Sequence, residues 1–222
     1  MKYLITTDRA HSLIEMMLCI IIFSLMLGTI FTVLSVGLKS WQMGEITTDS
    51  QHAAEVAIQR ITGDLKITNR ETCKFDKVNS ADPDYICFEN PLNEQEFKTD
   101  STTREPLWQS HIIYYTLTDP NNPVKKILYK RTVSHIPSVI PVMPDNLAIS
   151  SYLTTGEVAG ERPRVIARDV ETFQISQGEG DLIQIKLVCA KTMRERKMAY
   201  DQDFNRDVKA SINVSTSIRP RN

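Results

Sequence analysis

The pattern of apolar positions changes twice along the chain. The first stretch, His11 to Leu38, is almost continuously apolar, and from Met16 to Leu38 no charged residue occurs for 23 residues. About 20 apolar residues suffice for a helix to cross the ~30 Å hydrocarbon layer of a bilayer. The pattern therefore predicts a membrane-spanning helix over 11–38. Past Lys39 the run becomes amphipathic, with Ala54, Ile58, Ile61 and Leu65 at helical spacing and Glu55, Gln59, Arg60 and Asp64 between them. No proline occurs between residues 11 and 82. The spacing thus predicts one helix to about Thr68, roughly 80–85 Å long at 1.5 Å per residue, with 39–68 as its amphipathic continuation. Gly28, Gly37 and Gly44 are its weak points, each costing about 1 kcal/mol relative to Ala. The Ala-Ile-Ile-Leu stripe is read as core.

Beyond the helix the period falls from 3.6 to 2. TCKFDKV and DYICFEN flank the turn-forming NSADP and predict a hairpin between Glu71 and Asn90. A second pair, His111 to Leu117 and Lys126 to Val133, is separated by Asp119-Pro120-Asn121-Asn122-Pro123. Ser134 to Pro163 holds Pro137, Pro141, Pro144 and Pro163 and reads as loop or sheet edge. Three strands close the chain, at Val170 to Ser176, Leu182 to Cys189 and Val208 to Ile218. In the first, Phe173 and Ile175 share a face; in the second, Ile183, Ile185, Leu187 and Cys189 do. In the third, Val208, Ala210, Ile212, Val214, Thr216 and Ile218 alternate with polar residues. Such strands are half-buried and antiparallel. The expected fold is α+β, a long N-terminal helix packed on an antiparallel sheet.

Domain organisation follows from these boundaries. Residues 1–10 form a polar leader, MKYLITTDRA, ahead of the spanning segment 11–38 and the helical continuation 39–68. Residues 69–222 form a β-rich domain long enough for its own core. Lys2 and Arg9 on the short N-terminal side favour that end remaining in the cytoplasm, which puts the β-rich domain outside it. The 26 Lys plus Arg nearly balance 27 Asp plus Glu, so no electrostatic footprint for nucleic acid exists.

Glu15, the single acid near the start of the apolar run, needs an explanation, because a carboxylate inside a bilayer marks a functional site by default. A cleaved secretory signal would have a shorter apolar core and a small-x-small site after it. A plain signal anchor would leave Glu15 an accident near the headgroups. The order Ala10, His11-Ser12-Leu13-Ile14-Glu15, apolar helix instead resembles the N-terminal processing motif of type IV pilins and type II secretion pseudopilins. That resemblance implies cleavage by a prepilin peptidase between Ala10 and His11, N-methylation of His11, and Glu15 as an assembly residue at the fifth mature position. The family usually has Gly then Phe at this junction, where this chain has Ala10 then His11. Three looser features extend the likeness: AAEVAIQRITGDLK, the YYTL and LYKR strands, and the terminal STSIRPRN. Together they look most like a minor pseudopilin of the J type, or a minor pilin of the W type.

The resemblance implies a non-enzymatic, bitopic protein of the bacterial inner membrane that enters a filament and helps prime its assembly at the tip. Its implied partners are other pseudopilins or pilins, the prepilin peptidase, the inner-membrane assembly platform and membrane lipid. A reading of another class is a signal-anchored periplasmic binding domain that never polymerises.

Catalytic chemistry finds little support. His11, His52, His111 and His135 are scattered without ligand spacing, and no Gly-x-Ser-x-Gly, His-Glu-x-x-His, phosphate loop or Cys-x-x-Cys occurs. No enzyme, cofactor or metal is expected. Asp201, Asp203, Asn205 and Asp207 alternate like the start of a calcium loop, but Arg206 stands where Gly is required and Ile212 where a bidentate Glu belongs. A solvated turn is the expectation. Cys19 and Cys189 read as small buried hydrophobes. A hairpin centred near Ser80 would set Cys73 opposite Cys87, a candidate disulfide.

Overall fold

The computed structural model describes residues 13–75, 84–93, 96–142, 146–158, 160–178, 182–193 and 208–220. The helix α1 covers Leu13–Leu65 without a break, and Gly28, Gly37 and Gly44 lie inside it. Eight strands and a short second helix follow: β1 (Tyr85–Asn90), β2 (Leu92–Asn93), β3 (Glu96–Phe97), β4 (Trp108–Asp119), β5 (Asn122–Ser138), α2 (Asn146–Tyr152), β6 (Arg164–Gln177), β7 (Ile183–Met193) and β8 (Val208–Ile218). Residues 1–45 and 46–222 form two compact units.

In the first unit α1 is apolar on every face. Leu13, Ile22, Phe31 and Leu38 are all exposed, and the helix is long and apolar enough to cross a membrane. Four hydroxyls of the apolar run are satisfied within the helix. Ser24 donates to the Ile20 carbonyl, Thr29 to Met26, Thr32 to Gly28 and Ser35 to Thr32, at 2.7–2.9 Å. A hydroxyl that bonds back to the preceding turn leaves nothing polar to be satisfied by lipid.

The second unit is a helix on an open antiparallel sheet of order β1-β4-β5-β6-β7-β8. The predicted stripe is the contact: Ala54, Ala57, Ile58, Ile61 and Leu65 are buried with Ile86, Phe88, Ile112, Tyr114, Leu128, Val170, Phe173, Ile183, Ile185, Leu187, Cys189 and Ile218. The alternate residues of β1, β4 and β5 build a second core on the sheet's other face. There Tyr85, Cys87, Ile113, Tyr115, Ile127, Tyr129 and Val133 pack with Ile149 of α2 and Leu153 just after it. A sheet covered on both faces explains why all six residues of β1 are buried.

Helix α1 ends at Leu65, earlier than the periodicity predicts. The Ile67 and Thr68 amides reach back only three residues, and the Thr68 hydroxyl instead donates to the Glu89 carbonyl. Asn69 then caps a 3-10 turn at Arg70–Thr72. The Glu71 to Asn90 hairpin is also realised differently. Among the described residues of its first arm Lys74 alone bridges Cys87, while β1 finds its ladder partner in β4. Ser134 to Pro163 is not all loop, because β5 continues to Ser138 and α2 lies within the stretch. Pro137 fits β5 because it sits in the register shift opposite Trp108 and Ser110, and bulges and edges tolerate a residue with no N–H to give.

Candidate functional site

The sequence-predicted residues fall in two places. Ala10 and His11, the expected processing junction, lie outside the described residues, as do Asp201, Asp203, Asn205 and Asp207. Glu15 is in the first turn of α1, exposed, among the exposed side chains of Leu13, Ile14, Met16 and Leu18. An acid there suits the helix N-terminal dipole end. The run of apolar residues ends at Lys39 and an exposed Trp41, a pairing suited to the headgroup region.

The predicted cysteine pair is arranged differently from the hairpin expectation. Lys74 and Cys87 exchange both backbone hydrogen bonds at 2.7 Å, so Lys74, one position beyond Cys73, stands opposite Cys87. Successive side chains of an extended segment point to opposite faces. Cys73 accordingly packs against the core under α1 and Cys87 lies in the core on the other face. Cys19, Cys73, Cys87 and Cys189 are free thiols. Burial pushes the Cys73 and Cys87 thiols up to about 12, opposed by Arg70 at the first and by Lys74 at the second.

A cluster of polar groups that local spacing does not reveal occupies the second face of the sheet. In the β1–β4 ladder Glu89 stands directly opposite His111, and in the β4–β5 ladder His111 stands opposite Val133. His135, two residues further along β5, comes onto the same face. The His111 and His135 rings approach to 4.5 Å between centroids with 31° between their planes. Glu89 Oε1 lies 3.7 Å from His111 Nδ1 and 3.4 Å from His135 Nε2. The Glu89 side chain is 0% exposed.

Neighbouring structure fixes these groups. The Glu89 backbone is held from the end of α1, its carbonyl by Thr68 and its amide by the Thr72 hydroxyl at 3.4 Å. Its carboxylate Oε1 accepts from the Val142 amide at 2.7 Å, while Oε2 has no hydrogen-bond partner. His135 Nδ1 is 2.8 Å from the Ile136 carbonyl. A carbonyl can only accept, so Nδ1 donates to it, and Nε2 is the ring nitrogen turned toward Glu89. His111 Nδ1 and His135 Nε2 are both buried without a hydrogen-bond partner. Burial pushes the Glu89 carboxyl up to about 7 against the effect of the Val142 amide, and burial followed by the charge of His135 pushes His111 down to about 4.

The arrangement of Glu89, His111 and His135 corrects the sequence expectation that the histidines do not meet. The available signal was the hairpin register. Pairing Leu117 with Ile127 across the 119–123 turn carries His111 to Val133 and sets His135 beside it. Glu89 gives no such local signal, because β2 and β3 of a separate small sheet intervene in the chain between β1 and β4. No protein-family model, curated protein or solved structure matches this chain.

Proposed function

We propose that the chain is a non-enzymatic minor pseudopilin or minor pilin, a single-pass subunit of the bacterial inner membrane with a cytoplasmic N-terminus. After leader removal between Ala10 and His11 and N-methylation of His11, it joins other pilin-like chains in a type II secretion pseudopilus or a type IV pilus and helps prime assembly at the tip. The prepilin peptidase, the assembly platform and the lipid bilayer are its further partners.

One observation supports this reading above the others. Glu15 opens a helix that carries no charge over the next 23 residues, and the same unbroken helix ends in a stripe buried on an antiparallel sheet. An anchor alone needs the apolar run but no acid at its head and no continuous passage into the folded domain. The test is the intact mass of full-length protein expressed in cells with and without a prepilin peptidase. Loss of residues 1–10 with gain of one methyl group, only when the peptidase is present, is the expected result. Retention of Met1 in both strains would leave a signal-anchored domain that does not polymerise.

A further inference from the structure

Three side chains at the Val142 end of the sheet bring their polar atoms to one point. Glu89 Oε1, His111 Nδ1 and His135 Nε2 converge, and the last two lack hydrogen-bond partners. With His135 Nδ1 turned to the Ile136 carbonyl, its Nε2 faces a carboxylate oxygen only 3.4 Å away. An imidazole nitrogen and a carboxylate oxygen set this close in a buried site are held together by a positive centre between them, a proton or a metal ion.

We propose that Glu89, His111 and His135 form a binding site for one divalent transition-metal ion of the zinc type, linking β1, β4 and β5. One ligand atom from each residue lies within 4.8 Å of the other two, and the two edges from Glu89 Oε1 are 3.7 and 3.4 Å. A tetrahedral zinc ion with bonds of about 2.0–2.2 Å sets its ligands roughly 3.4 Å apart. Two edges of the triangle therefore have nearly the required length before any ion enters. Two imidazoles and one carboxylate suit zinc and its neighbours in the first transition row, and they are too few and too nitrogen-rich for calcium or magnesium.

The surroundings match a metal site in a further respect. A ligating histidine almost always donates its other ring N–H to a carbonyl or carboxylate, which fixes the ring and the tautomer. The Ile136 carbonyl does this for His135 at 2.8 Å, and the Val142 amide holds the Glu89 carboxylate in the same way at 2.7 Å. His135 is the least buried of the three, its side chain 19% exposed, and provides the way in. The fourth position of the ion is left for water. The site makes no use of α1 and is independent of the filament reading.

The test uses the full-length chain in detergent, stripped with a chelator and titrated with Zn2+ against a chromophoric competitor. Binding of one equivalent per chain is expected, with a rise in thermal midpoint that grows with free Zn2+. Glu89→Gln and His135→Ala should each weaken binding by at least about tenfold, whereas His52→Ala on α1 should leave it unchanged. His135 lies at the partly open end, so its variant is the one that keeps the fold, checked by circular dichroism. X-ray absorption of the wild-type zinc complex provides a readout free of mutation and should show two imidazoles and oxygen in the first shell. Absence of stoichiometric binding, equal affinity in His135→Ala, or sulfur in the first shell would each overturn the proposal. The first of these would leave a proton shared within the cluster as the whole content of the site.

Discussion

Lys130 Nζ of β5 donates to Asp64 Oδ2 of α1 at 2.5 Å, joining residues 66 positions apart across the face where helix meets sheet. Tyr114 of β4 donates its hydroxyl to the same carboxylate oxygen, and the Lys130 ammonium sits 5.7 Å from the Tyr114 ring centroid. One acid therefore serves two strands. Asp64 and Lys130 are each about a fifth to a quarter exposed at the side chain, so solvent screens the ion pair, and the pair itself is worth no more than about 1 kcal/mol. The buried Tyr114 hydroxyl is the larger stake, because a buried donor left without an acceptor costs about 1–3 kcal/mol.

Asp64→Ala should accordingly destabilise the domain by about 1–3 kcal/mol, and Lys130→Met by less than about 1 kcal/mol. Thermal unfolding of the full chain in detergent, followed by near-ultraviolet circular dichroism, measures both. An equal effect of the two substitutions would contradict the assignment of the cost to Tyr114.

Glu15→Gln addresses the filament reading. Glu15 lies four residues from the expected new terminus, about 6 Å along a helix, close enough for the N-terminal ammonium of a staggered neighbour to come level with it in the apolar layer. Removing one member of a buried pair typically costs 3–5 kcal/mol. Membrane insertion and the folded domain should be unchanged, while crosslinking to partner pilin-like chains should be abolished or strongly reduced at matched membrane levels. Equal recovery of partners would remove Glu15 from the assembly machinery.

The cysteines give a reactivity prediction. A thiol pushed up to about 12 is almost entirely protonated at pH 8, and only the thiolate attacks an alkylating reagent. Cys73 and Cys87 should therefore label far more slowly in the native protein than after denaturation. Since the register turns them to opposite faces of the sheet, nonreducing peptide mapping should return both as thiols. A Cys73–Cys87 crosslinked peptide would mean that the pairing of Lys74 with Cys87 shifts by one residue, which turns a side chain to the other face.

Arg131 carries the fourth prediction. It is fully buried on β5, and its guanidinium donates to the carbonyls of Glu161, Thr154 and Gly156 at 2.7–2.8 Å, while the Tyr115 hydroxyl also donates to Thr154. Three carbonyl dipoles thus stabilise one buried cation. Arg131→Met fills the space but leaves these carbonyls short of donors, and a loss of roughly 2–4 kcal/mol follows. Hydrogen exchange should accelerate across Thr154 to Glu161 and remain as in the wild type in β7.

Most of the architecture was legible because hydrophobic periodicity is set by backbone geometry, which every residue of an element shares. The stripe of Ala54, Ile58, Ile61 and Leu65, and the alternating Ile183, Ile185, Leu187 and Cys189, lie in one core as their spacing requires. Helix α2 escaped because its seven residues are too few to display a period and lie among prolines. The Glu89, His111 and His135 cluster escaped for another reason. It depends on which strand lies beside β1, a non-local choice made by the whole sheet, and Glu89 on its own looks like any polar residue of an edge strand. The spacing of residues within a segment cannot encode it.

The order of strands in the large sheet also sets a folding schedule. From β4 to β8 each strand pairs with the next in the chain, and the β4–β5 and β6–β7 pairings close through short connections that cost little chain entropy. Helix α1 is the opposite case. Its stripe is synthesised first, yet its cover includes Ile183, Leu187 and Ile218, more than a hundred residues later. During synthesis Ile86, Phe88 and Ile112 can cover part of Ala54, Ile58, Ile61 and Leu65 early, but the cover is complete only when β7 and β8 have emerged. Completing the helix cover is therefore the contact of longest sequence separation in this core, the kind whose closure is slow and leaves apolar surface open to aggregation.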